Sequence, residues 1–241
     1  MEPPLRVVRR YAAVEAKQGV AVDGGFFYAI DDAAIGKYDK STGRRVGEWK
    51  PDGDVHIIHL DSGAVIDGRL YCAHSNYPQV PMVSSIEVFD TRQLSHVDSI
   101  PLPALGSATW VDRAHGSWWV TFAHYAGEGG EPGRPPADTR LVQFDEHWQP
   151  RGSWSFPPAV VRRWQGMSNS GGIWDGGLLY TTGHHAREIY VLELPHSGSQ
   201  LRLRAIIPFE SEGQGIALDP AARVLYSIQR RTREVLVSAL P

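Results

Sequence analysis

The stretch Ser62–His74, SGAVIDGRLYCAH, decides the fold. A polar residue and a glycine open it, apolar residues run up to the pair Asp67-Gly68, and an aromatic-containing strand follows and stops on His74. Two short apolar runs flanking Asp-Gly read as a β-hairpin, because glycine tolerates the positive φ of a two-residue turn and aspartate accepts local backbone hydrogen bonds. The same grammar returns at Gln18–Ile30 (QGVAVDGGFFYAI), Ser107–His124 (SATWVDRAHGSWWVTFAH), Ser170–His184 (SGGIWDGGLLYTTGH) and Gln214–Ile228 (QGIALDPAARVLYSI). The shared aspartates are Asp23, Asp67, Asp112, Asp175 and Asp219, at spacings of 44, 45, 63 and 44 residues. They read as turn residues without chemistry of their own.

Each copy continues into a third strand, AIGKYD, SIEVFD, TRLVQFD, EIYVLEL and EVLVSAL, with the period-2 alternation of a strand. Four copies add a fourth strand; the fifth ends after its third, while LRVVRRYAA stands unpaired before the first copy. Four-stranded units of this period, five in number, predict an all-β, five-bladed β-propeller closed by the N-terminal strand completing the last blade. The blades fall at about residues 17–50, 61–102, 106–156, 169–208 and 213–240 plus 5–12, in one domain covering 1–241. A two-sheet sandwich would not repeat one motif five times. The abundant aromatic residues, Trp118, Trp119 and Trp174 among them, read as packing between blades.

Composition narrows the partners. The chain of 241 residues is 42% hydrophobic, enough for a sizeable core, and its net charge of -3 comes from 24 basic and 27 acidic residues without a block of one sign. Nucleic acid and membrane are therefore not expected as partners, and the reading is a monomer that takes a small molecule. No signal-like or membrane-spanning apolar run is present, so a cytoplasmic address is the simplest expectation. Cys72, the only cysteine, falls inside a strand and reads as packing.

In a propeller the first strand of each blade is innermost, and its start shares a rim with the end of the second strand. Gln18, Ser62, Ser107, Ser170 and Gln214 open the inner strands; His74, His124 and His184 close second strands, with Asp31 and Gln229 as counterparts in blades one and five. Three imidazoles at one mouth are a candidate site for one divalent metal, zinc, manganese or iron, with His74, His124 and His184 as ligands. A metal-free polar pocket, whose histidines bind an anion or move protons, is the equal alternative. His59 and His56, with Asp61, lie in the connection entering blade two; Asn76, Tyr77, Tyr125, Asn169 and His185 adjoin the same rim, and Glu212 precedes Gln214. The candidate catalytic set is His124, Glu212 and His59. The candidate substrate-binding set is Gln18, Ser62, Asn76, Ser107, Tyr125, Ser170, His185 and Gln214.

The long third spacing comes from two insertions assigned to this face: AGEGGEPGRPPAD after His124, and PPAVVRRWQGM, whose Pro-Pro start predicts a turn or two of helix. No G-x-S-x-G elbow, phosphate-binding loop, H-E-x-x-H or dinucleotide fingerprint occurs, so no nucleotide cofactor is expected. Paired carboxylates of the glycosidase kind do not stand out at the rim.

The segments HLDSGAVIDGRLYCAHSNYP, GSATWVDR, WWVTFAHY and SEGQGIALD resemble bacterial proteins of unassigned function that carry a cycloisomerase-like label, along the whole chain. QGVAVDGGFFYAIDDAAIGKYDKSTGRRV and EGQGIALD are also similar to the plant-type glutaminyl cyclases, over about two of the five blades. That second resemblance implies a five-bladed propeller with an active site at the channel mouth; the histidine-rich rim is not part of it. The expected function is that of a small-molecule enzyme, a lyase, cyclase or hydrolase, acting through a histidine-rich pocket. The competing class is a non-catalytic ligand-binding or protein-interaction propeller.

Overall fold

A computed structural model describes residues 3–52 and 57–240. Among the described residues, twenty strands form five four-stranded antiparallel sheets. Blade one holds β2 (Gly19–Val22), β3 (Phe26–Asp31), β4 (Ala34–Asp39) and β5 (Arg45–Trp49); blade two holds β6 (Leu60–Ile66), β7 (Arg69–Ser75), β8 (Ser84–Asp90) and β9 (Ser95–Pro101). Blade three is β10 (Ser107–Ala114), β11 (Ser117–Ala123), β12 (Arg140–Phe144) and β13 (Pro150–Ser155). Blade four is β14 (Gly171–Asp175), β15 (Leu178–Thr182), β16 (Glu188–Glu193) and β17 (Arg202–Pro208). Blade five joins β18 (Ala217–Asp219), β19 (Val224–Gln229) and β20 (Glu234–Ala239) to β1 (Arg6–Ala12), which supplies the outer strand. The predicted closure is present: β1 runs antiparallel to β20 from Arg6↔Ala239 to Ala12↔Glu234.

Both faces of the middle strands are covered, which explains their nearly continuous apolar sequences. In β3, Phe27 and Ala29 enter the cluster shared with blade five, whereas Tyr28 and Ile30 enter the one shared with blade two. The other three seams have their own apolar clusters. Aromatic rings fill these wedges: Tyr11 lies 4.8 Å from Phe27, Phe27 stacks on Tyr38 at 5.0 Å, and Trp119 meets Trp174 at 4.9 Å. Cys72 is buried in the seam between blades one and two. The outer strands are largely exposed and carry charge, as β9 does at Asp98, which protects sheet edges from pairing.

The hairpin turn at Asp67 and Gly68 has positive φ at both positions, 48° and 76°, as the Asp-Gly signal requires. Asp112 departs from the turn reading. The turn of its hairpin begins three residues further on, at His115 and Gly116, and Asp112 is a buried residue of β10 whose Oδ2 accepts the Trp174 backbone N–H at 2.9 Å across to blade four. Burial pushes its carboxyl up to about 6.

The inner strands β2, β6, β10, β14 and β18 touch their neighbours around the channel. They pack so closely that a Cβ added to Gly215 would sit 2.5 Å from Ser62 Oγ. Both insertions of the third spacing reach the same rim. Pro158–Val161 forms one α-helical turn and Arg162–Trp164 continues as a 3-10 turn, with Trp164 buried against Phe156. The Ala126 N–H then donates to the Gly166 carbonyl at 2.9 Å, tying one insertion to the other.

Candidate functional site

A cavity of about 310 Å³ opens where the inner strands begin. Blade one contributes Gln18; the connection into blade two contributes His59 and the start of β6 contributes Asp61; Tyr77 and Tyr125 follow the second strands of blades two and three. Ser170, His184, Gln214 and Arg230 complete the wall from blades four and five, while Glu128 and Met167 come from the two insertions.

Asp61 is the decisive group. It is 5% exposed, its Oδ1 has no hydrogen-bond partner, and burial pushes its carboxyl up to about 7. A buried carboxyl without a donor disfavours its charged form, so the proton is retained near neutrality. His59 stands beside it, with Nε2 4.0 Å from Asp61 Oδ2 and Nδ1 3.2 Å from Asp32 Oδ1. Asp32 also accepts hydrogen bonds from Lys17 and Gln18. Although burial opposes ionisation, the His59, Lys17 and Gln18 donors hold the Asp32 carboxyl well below the usual carboxylate range. Asp32 is therefore a fixed anion that orients His59, and it leaves Nε2 turned toward Asp61.

On the other wall, Arg230 Nη1 lies 3.1 Å from His184 Nε2, and His184 Nδ1 lies 3.1 Å from His185 Nε2. A guanidinium only donates, so His184 Nε2 accepts and its Nδ1 carries the hydrogen. Burial, together with the nearby His185 and Arg230, pushes the His184 imidazole down to about 3. It is neutral across the physiological range. Tyr77 and Tyr125 meet edge to face at 5.2 Å, and Tyr77 also packs on His59 at 5.0 Å.

The cavity includes His59, Gln18, Tyr125, Ser170, His184 and Gln214 of the expected set. It does not unite the three histidines. His74 shares the face of β7 that carries Leu70 and Cys72 and points into the seam with blade one. There its Nε2 accepts the Ile58 N–H at 3.3 Å, and its Nδ1 lies 2.9 Å from Ser85 Oγ, which donates to the buried Glu87. His124 is 1% exposed; its Nε2 donates to the Leu105 carbonyl at 3.1 Å, and Glu131 lies 3.6 Å from its Nδ1. Burial lowers the pKa of both imidazoles below the ordinary histidine value. Among the described residues, no three His, Cys, Asp or Glu side chains are placed to share a metal ion.

The remaining expectations also move. Glu212 is paired at 3.4 Å with Arg187 and at 3.4 Å with Arg231, outside the cavity wall. Asn76 braces its own loop, accepting the Val83 N–H at 2.8 Å and donating to the Pro81 carbonyl at 3.0 Å. Ser107 donates to Ser75 Oγ at 2.8 Å, Ser62 is buried in the channel wall, and His185 touches the cavity only through His184. Asn169 is buried and accepts the Trp110 indole N–H. Asp31 pairs with Arg233 at 2.9 Å, and His56 lies outside the described residues. The cavity residues that sequence reasoning left out of its catalytic and binding sets are Asp61, Tyr77, Glu128, Met167 and Arg230.

A larger concavity, about 600 Å³, lies elsewhere, along the outer strands of blade three between Leu105 and Arg151. No buried titratable group lines it. A third, of about 400 Å³, lies at the Asp-turn ends of the inner strands and is mostly apolar, with Asp112 already hydrogen-bonded. Of these three, and among the described residues, the His59–Asp61 cavity is the one that combines enclosure with a buried, unpartnered carboxyl.

Solved structures share this architecture. The glutaminyl cyclase of Myxococcus xanthus superposes with a TM-score of 0.65 at 12% identity, over 98% of this chain and 97% of that one. The PQQ-bound aldose sugar dehydrogenase of Streptomyces coelicolor gives 0.52 at 14% identity, over 98% and 97%. A chain of the mitotic checkpoint complex gives 0.51 at 9% identity, over 97% and 91%. At such identities the likeness is one of fold. No family model matches the chain, and no curated protein matches its sequence.

Proposed function

We propose that the protein is an enzyme of the lyase, cyclase or hydrolase kind, acting on a small polar substrate by proton transfer at Asp61 and His59. The carrying observation is the Asp61 carboxyl, buried at the channel mouth with one oxygen unpartnered. Its upward shift to about 7 suits a group that must both hold and release a proton near neutral pH. The 4.0 Å between Asp61 Oδ2 and His59 Nε2 is too long for a direct hydrogen bond and leaves room for a substrate hydroxyl or amine to touch both.

Cyclisation of a glutaminyl group, the activity named for the Myxococcus propeller, is one candidate. Its nitrogen nucleophile must lose a proton and the departing ammonia must gain one, a transfer that a carboxyl of this kind can serve. Lactone opening or closure makes the same demand on oxygen atoms. The test is turnover of N-terminal glutaminyl peptides, lactones and hydroxy acids by the full chain, with Asp61→Asn and His59→Gln in parallel. Turnover that falls by about 10²- to 10⁴-fold in both variants supports the reading. Turnover that survives both overturns it, and saturable binding without turnover in any class marks a binding propeller instead.

A further inference from the structure

We infer that the ligand of the channel-mouth cavity carries a carboxylate, held by the guanidinium of Arg230. The inference rests on the proposed function in taking this cavity as the substrate site, but not on the chemistry performed there. Arg230 closes the second strand of blade five and lines the cavity. Two neighbours in sequence are already satisfied: Arg231 pairs with Glu212 and Arg233 with Asp31. Arg230 differs. Among the described residues no carboxylate oxygen lies within 4.0 Å of it, and its side chain is hydrogen-bonded to the neutral ring of His184.

A guanidinium stays charged at any pH a protein experiences, and its planar fork matches a carboxylate with two parallel N–H donors. Here one arm is spent on His184, which fixes the plane of the group, while the other N–H groups remain available to a ligand. Asp61, the buried carboxyl in the wall, makes no ion pair with Arg230 within 4.0 Å and holds its proton up to about pH 7. Glu128 is the other wall carboxylate; it is exposed and makes no ion pair with Arg230. The cavity thus carries a fixed, partly buried cation without a protein anion to match it. At about 310 Å³ it is near the lower limit of small-molecule sites, which favours a compact acid such as a hydroxy acid, keto acid or amino acid.

The test is calorimetric titration of the full chain at pH 6 with lactate, malate, succinate and glutamine, and with lactamide and methyl lactate as neutral counterparts. Wild type, Arg230→Gln, Arg230→Lys and Asp61→Asn are compared, each after a melting curve has shown it folded. At least one acid binds about tenfold or more tighter than its neutral counterpart, and Arg230→Gln abolishes that preference. Arg230→Lys retains part of it, because charge survives without the fork, and Asp61→Asn keeps it. Proton and carbon resonances of His184 shift on titration in the wild type and not in Arg230→Gln. Equal binding of acid and amide, unchanged binding in Arg230→Gln, or no binding by any acid overturns the inference. Asp61-dependent turnover of a neutral substrate would overturn it while sparing the proposed function; acid binding without turnover would do the reverse.

Discussion

His59 presents Nε2 to Asp61 Oδ2 at 4.0 Å, and it does so because Nδ1, 3.2 Å from Asp32 Oδ1, is committed to that carboxylate. Changing Asp32 to Asn removes the anion that fixes the tautomer and leaves a side chain that can itself donate to Nδ1. Asp32→Asn should therefore lower kcat by about tenfold or more without abolishing substrate binding. Steady-state kinetics on any substrate found for the site reads this directly. A rise in KM with kcat unchanged would contradict the orienting role.

Asp61 links the site to stability. Its carboxyl is held at about 7 in the folded chain, well above the ordinary value, so between about pH 4 and 7 the folded state keeps a proton that the unfolded state has lost. Stability falls as pH rises through that window. Asp61→Asn removes the penalty and should stabilise the protein at pH 8 by on the order of 3 kcal/mol, with little change near pH 4. Asp112, pushed up to about 6, adds a smaller slope of the same sign that the variant keeps. Urea denaturation at several pH values measures both.

Ring closure depends on β1. Tyr11 is buried against Phe27, and β1 covers the whole of β20. Tyr11→Ala should cost about 3 kcal/mol by leaving a cavity in the seam between blades five and one. Deletion of residues 1–12 should lower Tm far more. A melting curve unchanged by the deletion would show that the ring does not need the strand.

His74 supports its seam. It accepts the Ile58 N–H and leads through Ser85 to Glu87, which also takes bonds from His96 at 2.7 Å and Ser99 at 2.9 Å. His74→Ala should destabilise the protein by about 1–3 kcal/mol, because it strips a partner from a buried polar network. It should leave the metal content of the purified protein unchanged, which elemental analysis checks.

The blades were legible because the hairpin grammar repeats and because both faces of each middle strand are apolar. The site was legible in part. Sequence reading placed Gln18, His59, Tyr125, Ser170, His184 and Gln214 at the mouth, and the cavity contains them, but it also placed Asp31, Ser62 and Gln229 there, whereas the cavity and its immediate support use Asp32, Asp61 and Arg230, each one residue away. In a strand, a step of one residue turns a side chain to the opposite face. The step arises partly from a bulge: β6 pairs Leu60 with His74 but Gly63 with Cys72, so an extra residue is absorbed at Asp61 and Ser62 and the side chains are re-aimed. No pattern in the sequence marks that bulge. The same alternation sends His74 and His124 into seams, so three histidines ending three strands need not share a centre. The insertions were placed on the functional rim from spacing alone, and Glu128 and Met167 reach the cavity from them.

The most direct test is a carbon-13 NMR titration of the aspartate side-chain carboxyls in the full chain, with Asp61→Asn for assignment. One carboxyl titrating near pH 7 in the wild type, and missing from the variant, is the predicted result. If the resonance lost in Asp61→Asn titrates near pH 4 like an exposed aspartate, Asp61 is not the buried proton carrier of this site and the account fails.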